Sequence, residues 1–344
     1  MKLIIQKLPV FLLIAGLAGL TGCNKSAESP TTGGNNTPTP AAKQLTIAFL
    51  PKSKGNAYFV SCAKGAQKAA DELGDKLIID GPTDPDPARQ NEIVENWITL
   101  GVDVIAASCE NKEGISTALR KAEAKGIKVV TYDADALPDA RSFFMNQATS
   151  QGIGYALMDE AARLCESNGE FAVITGSLTA GNQVAWRQFV EERRAAAYPN
   201  MKCDAVEACD DLKDKAQSET TALLSTYPNL KLVLSTTSLG VPGAAEAIKQ
   251  AGKTGVVKNI GLGLPNENKR YVHDGVTQGV ILWKTADLGY LTVYAADALA
   301  KGTLKSGDKT FKAGSLGTFD IQGDNIMLGK PFTFNKDNID QFDF

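Results

Sequence analysis

From Leu45 onward, short runs of aliphatic and β-branched residues alternate with longer stretches whose apolar residues recur every three to four positions. The first kind predicts buried strands at 45–50, 77–79, 104–106 and 128–132, and the second predicts helices at 57–73, 91–100 and 112–125 between them. Such alternation winds a parallel sheet with helices on both faces, because parallel neighbours can be joined only by a long crossover. A second series follows, with helices at 149–166, 184–197, 215–226 and 243–251 and strands at 171–175, 205–207, 230–234 and 257–261. The predicted fold class is therefore α/β, with two similar doubly wound parallel-sheet lobes of the kind that close on a ligand by hinge bending.

The first 44 residues break this pattern. Lys2 and Lys7 precede an apolar run from Leu8 to Leu20, which suits a signal peptide and falls short of the roughly 20 residues that a spanning helix needs. The run ends in Leu-Thr-Gly-Cys at 20–23, which resembles the lipobox of bacterial lipoproteins; residues 1–22 are then a signal peptide and Cys23 the lipidated first residue. Residues 24–44 carry Pro, Gly, Thr and Asn and no large apolar side chain, so they are expected to form a flexible tether. Several acyl chains on Cys23 would hold the protein on a membrane without crossing it.

Composition narrows the function classes. The 36 basic and 39 acidic residues give a net charge of −3, which offers no basic footprint for nucleic acid. A single histidine, His273, leaves little material for histidine-based triads or zinc sites, and its place before Asp274 and Gly275 suits a helix end. Gly-Lys-Thr at 252–254 lacks the glycine a phosphate loop requires, since Ala247 stands there. Gly-Leu-Gly at 261–263 lacks the third glycine of a dinucleotide fingerprint. No cofactor or metal site is expected. Beyond Cys23 there are five cysteines, an odd number; Cys62 and Cys109 are the first candidates for a bridge, while Cys203 and Cys209 flank a strand and stand too far apart.

In open parallel sheets ligands bind beyond the carboxyl ends of the strands. Those positions carry Lys52, Tyr58 and Phe59 after the first strand, Asp133 and Asp135 after the fourth, Asn182 and Gln183 after the second lobe's first strand, and Pro242 and Ala244 after its third. Carboxylates, amides and a lysine hydrogen-bond hydroxyls, and Phe59 and Trp283 offer apolar faces, so the mixture suits a small polyhydroxylated ligand. Each residue also has a plainer reading: Lys52 as a solvated cation, Asp133 and Asp135 as helix caps or part of a Mg²⁺ site, Asn182 and Gln183 as caps, the aromatics as core.

At these residues the chain resembles the type I periplasmic solute-binding proteins of ABC importers, in the branch that holds rhamnose-binding and autoinducer-2-binding receptors. The resemblance covers nearly all of Leu45 to Phe344. Its specific passages are Ile-Thr-Gly-Ser-Leu-Thr-Ala-Gly-Asn-Gln at 174–183, Gly-Val-Pro-Gly-Ala-Ala-Glu-Ala-Ile at 240–248, Asp-Leu-Gly-Tyr-Leu-Thr-Val-Tyr at 287–294 and the terminal 334–344. It implies that Lys52, Asp133, Asn182, Gln183, Pro242 and Ala244 line the ligand, with Phe59 and Trp283 added from the reading of the residues. Asn182 departs from the aspartate of the autoinducer-2 branch, which favours a deoxysugar such as rhamnose over autoinducer-2.

The expected protein is thus a non-enzymatic, monomeric, lipid-anchored receptor in the periplasm or at the cell surface. It would pass a sugar to ABC permease subunits, the alternatives being an autoinducer-2 receptor or a ligand sensor for a membrane signalling protein. Lobe crossings are expected near 145–147, near Trp283 and after Gly317. That gives a first lobe of 45–145 plus about 284–318 and a second of 146–283 plus about 319–344, joined by a multi-strand hinge.

Overall fold

The computed structural model describes residues 43–344. The signal segment, Cys23 and all but the last two residues of the tether lie outside the described residues. No helix among the described residues is long and apolar enough to cross a membrane.

The first series gives β1 (Thr46–Leu50), α1 (Ala57–Leu73), β2 (Lys76–Ile79), α2 (Pro87–Leu100), β3 (Val104–Ala107), α3 (Lys112–Ala124), β4 (Lys128–Tyr132) and β5 (Phe143–Asn146). The second gives α4 (Ser150–Leu164), β6 (Gly169–Thr175), α5 (Gly181–Ala197), β7 (Met201–Ala208), α6 (Lys213–Thr226), β8 (Leu230–Ser235), α7 (Gly240–Gln250), β9 (Lys258–Leu262), α8 (Pro265–His273) and β10 (Gly279–Leu282). The chain ends with α9 (Thr285–Ala300), β11 (Thr310–Ala313), β12 (Gly317–Gln322), β13 (Asn325–Met327) and β14 (Phe332–Phe334). Two sheets result, in the orders β11-β12-β13-β5-β4-β3-β1-β2 and β14-β10-β9-β8-β6-β7.

In β1, Ile47 and Phe49 enter one apolar cluster while Ala48 and Leu50 enter another, so the sheet is covered on both faces as the alternating pattern requires. Helix ends follow local chemistry. Asn56 caps α1 by accepting from Tyr58 N at 2.9 Å. Asp86 caps α2 with Pro87 at its first turn, which starts that helix at 87 rather than the 91 read from periodicity.

The chain crosses between the sheets three times: between β5 and α4, between β10 and α9, and between β13 and β14. The third crossing falls at 328–331, later than the sequence suggests. Residues 319–327 stay in the first sheet because Ile326, fully buried, pairs with Met145 of β5 in parallel register. The hairpin of β12 and β13 is short and turns at Gly323, too brief to register as strands by pattern. After the second crossing α9 returns to pack on α1 across two glycines. A Cβ on Gly65 would lie 1.7 Å from the Ala286 carbonyl oxygen, and one on Gly289 would lie 1.8 Å from that of Cys62.

All five cysteines beyond Cys23 are unbridged. Cys62 and Cys109, the expected pair, belong to the clusters on opposite faces of the first sheet, so the sheet itself separates them.

Candidate functional site

The ends of β1, β4, β6, β7, β8 and β10 converge on one cavity of about 410 Å³ of atom-free space, part of it open to solvent. Of the eight predicted residues, six line it: Lys52, Phe59, Asp133, Asn182, Gln183 and Trp283. The other two do not. Pro242 and Ala244 lie within α7 rather than at the strand end, and Ala244 is fully buried in the apolar cluster beneath that helix. The wall after β8 is built instead by Thr236, Thr237 and Ser238, the residues directly at its carboxyl end.

Lys52 is 3% exposed and spans the lobes, its Nζ donating to Asn182 Oδ1 at 3.2 Å. A second bridge joins Asn56 Nδ2 to Ser238 Oγ at 3.4 Å. Burial alone would lower the Lys52 pKa, but the carboxylates of Glu110, Asp133 and Asp211 outweigh it and hold the ammonium above its ordinary value. Glu110 Oε2 lies 3.8 Å from Lys52 Nζ. Burial pushes the Glu110 carboxyl up, with Lys52 pulling partly against it.

Asp133 is 5% exposed and sits at φ 60°, a left-handed conformation that costs a non-glycine residue on the order of 1–3 kcal/mol. Two contacts hold it: Ser108 Oγ donates to its Oδ2 at 2.6 Å, and Gln147 Nε2 donates to its carbonyl at 3.1 Å. Burial raises its pKa although Lys52, Ser108 and Tyr58 favour the ionised form. Asp135, by contrast, is occupied by Arg141 at 2.7 Å and by Thr131.

From the second lobe, Gln183 Oε1 accepts from Thr175 Oγ1 at 2.9 Å and Ser177 N at 2.8 Å, fixing the loop after β6. Asp211 reaches the cavity from the end of β7 and accepts from Thr237 Oγ1. It fits because residue 176 is glycine: a Cβ there would lie 2.0 Å from Asp211 Oδ1. The apolar part of the lining is Phe59, Trp186, Leu262, Leu282 and Trp283, with the Trp283 indole donating to Tyr58 OH at 2.9 Å.

Sequence reasoning missed Asp211 and Thr236 to Ser238 as cavity residues, and Glu110, which stands 3.8 Å from Lys52 Nζ without lining the cavity. All follow directly on β3, β7 and β8, so the strand-end rule that singled out Lys52 and Asp133 covers them as well. His273 lies outside the cavity, exposed, with Nε2 2.9 Å from Asp340 Oδ1.

Two parallel-sheet lobes with a polar cavity between them are the architecture of a solute receptor, and residues 47–304 match the sequence profile of the periplasmic binding protein domain. The chain belongs to the periplasmic binding protein family. This periplasmic binding protein therefore works outside the cytoplasm and holds a solute without transforming it.

Among solved structures, it is similar to an ABC transporter solute-binding protein from Clostridium phytofermentas with bound L-rhamnose. The TM-score is 0.84 at 30% identity, covering 87% of this chain and 98% of that one. LsrB from Clostridium saccharobutylicum in complex with AI-2 gives a TM-score of 0.83 at 26% identity, covering 87% of this chain and 100% of that one. The ribose import binding protein of Bacillus subtilis is 26% identical over 305 residues, 88% of this chain and 95% of that protein.

Proposed function

We propose that this receptor captures a neutral deoxysugar, L-rhamnose or a close relative, between its lobes and presents it to an ABC importer. The observation that carries the reading is the mixed polar and apolar lining of the cavity. Lys52, Asp133, Asn182 and Asp211 supply charged and amide partners for hydroxyls, and in the same lining Leu262, Leu282, Phe59 and Trp283 offer a surface for a methyl group and sugar C–H bonds. A fully hydroxylated sugar would leave a hydroxyl unpaired against that surface, a penalty of about 1–3 kcal/mol. The similarity to a receptor solved with L-rhamnose supports the same choice.

A second reading, an autoinducer-2 receptor, draws support from the equally good fit to LsrB. Asn182 disfavours it, because an amide stands where the resemblance calls for a carboxylate. The chain is further proposed to be a monomer anchored through acylated Cys23, with the residues up to 44 as its tether. Closure of the lobes on the sugar, already bridged here by Lys52–Asn182 and Asn56–Ser238, would create the surface that the permease reads. Calorimetric titration with L-rhamnose, D-ribose and autoinducer-2 tests the ranking; heat from autoinducer-2 alone would reverse it.

A further inference from the structure

We propose that the hinge carries a second ligand site, separate from the interlobe cavity and suited to an amphipathic organic anion with an aromatic body. A groove of about 1100 Å³ of atom-free space, part of it open to solvent, lies at the hinge, and all three crossings line it, through Gln147, Trp283 with Lys284, and Leu328 to Lys330. Its walls come from both lobes, with Phe319 and Leu328 from the first and Phe332, Phe334 and Phe342 from the second. Phe332 is 48% exposed, a large aromatic face left open beside the hinge.

Two features set the chemistry of the occupant. Gln147 is 2% exposed, and while its Nε2 is bonded to the Asp133 carbonyl, its Oε1 has no partner. That oxygen is enclosed in this arrangement of the lobes, and its residue also borders a smaller interlobe pocket beside Asp133 and Asn182, so a ligand N–H or O–H satisfies it only as the lobes shift. At the rim, Lys284 and Lys330 are exposed against one carboxylate, Asp287, so the local charge favours an anion. An aromatic body against the phenylalanines, a donor for Gln147 and an anionic group for the lysines together describe one molecule.

The groove is linked to the sugar cavity by two residues. Trp283 lines both, and Gln147 holds the backbone of Asp133. Because the walls belong to different lobes, an occupant fits one interlobe angle better than others and shifts the lobes toward it.

The probe 8-anilinonaphthalene-1-sulfonate has the three features and reports its own binding by fluorescence. Titrated into the full chain without sugar, it is expected to saturate at one molecule per chain. Lys330→Glu and Phe332→Ala, both at accessible positions, are each expected to weaken it about fivefold or more with the melting temperature unchanged. Small-angle scattering is expected to show a change in radius of gyration at saturation in the parent chain. Absence of saturable binding, several probes per chain, or binding indifferent to both substitutions overturns the site; saturation with an unchanged radius overturns its link to the lobes. Neither result depends on which sugar the interlobe cavity holds.

Discussion

The ammonium of Lys52, on the loop after β1, lies 3.2 Å from the amide oxygen of Asn182 at the start of α5, so one buried hydrogen bond joins the two lobes across the cavity. Asn182 Oδ1 also accepts from the Gln183 backbone N–H at 2.9 Å, which fixes which end of the amide faces the lysine. Asn182→Asp would put a carboxylate against an ammonium that three other carboxylates already surround. The added strong acceptor is expected to raise autoinducer-2 affinity relative to L-rhamnose by about tenfold, the worth of one charge-assisted hydrogen bond. Parallel calorimetric titrations of parent and variant check the ratio; an unchanged ratio removes Asn182 as a specificity residue.

Asp133 offers a cleaner deletion of charge. Asparagine tolerates φ 60° as well as aspartate does, so Asp133→Asn keeps the backbone while removing the ionised acceptor beside Lys52. Sugar affinity is expected to fall by about thirtyfold or more, since breaking a buried charged hydrogen bond costs about 2–5 kcal/mol. Equilibrium dialysis with labelled sugar measures it.

Acid should weaken binding early. Burial raises the pKa of Asp133, so the carboxylate proposed to accept from the ligand is lost at a higher pH than for an exposed aspartate. Affinity is expected to be level above the raised pKa and to fall as pH drops through it. Glu110 is also raised by burial, so the fold favours its protonated form. Its burial penalty is present above the raised folded pKa and disappears below the unfolded one. The melting temperature of the parent chain relative to Glu110→Gln is therefore expected to rise as pH falls through that window; a difference that shrinks instead contradicts the assignment.

The α1–α9 contact has no room for a side chain at residue 65, where a Cβ would meet the Ala286 carbonyl oxygen at 1.7 Å. Gly65→Ala is expected to destabilise the first lobe by about 1–3 kcal/mol, lowering the melting temperature by several degrees. Differential scanning calorimetry checks it.

Anchoring is tested in cells. Cys23→Ser is expected to move the protein from the detergent-soluble membrane fraction to the soluble fraction, and mass spectrometry of the parent chain is expected to find acyl groups on the new N-terminus. A parent chain without them contradicts the lipobox reading.

Much of the fold was legible because buried strands and amphipathic helices have different periods; Asn56, Asn111 and Thr149, which cap α1, α3 and α4, were signals the reading did not use. The β12–β13 hairpin was not, since three-residue strands such as β13 have no period to read and Ile326 is placed by pairing with Met145. Lys52, Asp133, Asn182 and Gln183, singled out by their positions after strands, line the cavity. Pro242 and Ala244 were read from the same strand-end rule and from the resemblance, and the structure places them inside α7 with Thr236 to Ser238 at the cavity. Glu110 and Asp211 were passed over although they too follow strands; that they gather around one lysine is a tertiary fact that only the packing of β1, β3, β4 and β7 discloses.

The central claim, capture of a neutral deoxysugar through the Lys52–Asp133 side of the interlobe cavity, is tested most directly by isothermal titration of the sugar-stripped receptor with L-rhamnose. The account predicts one site per chain with a dissociation constant near about 1 µM, or about −8 kcal/mol, and loss of that heat in Asp133→Asn. No heat with L-rhamnose or its 6-deoxy relatives, or the same heat from the variant, would contradict it.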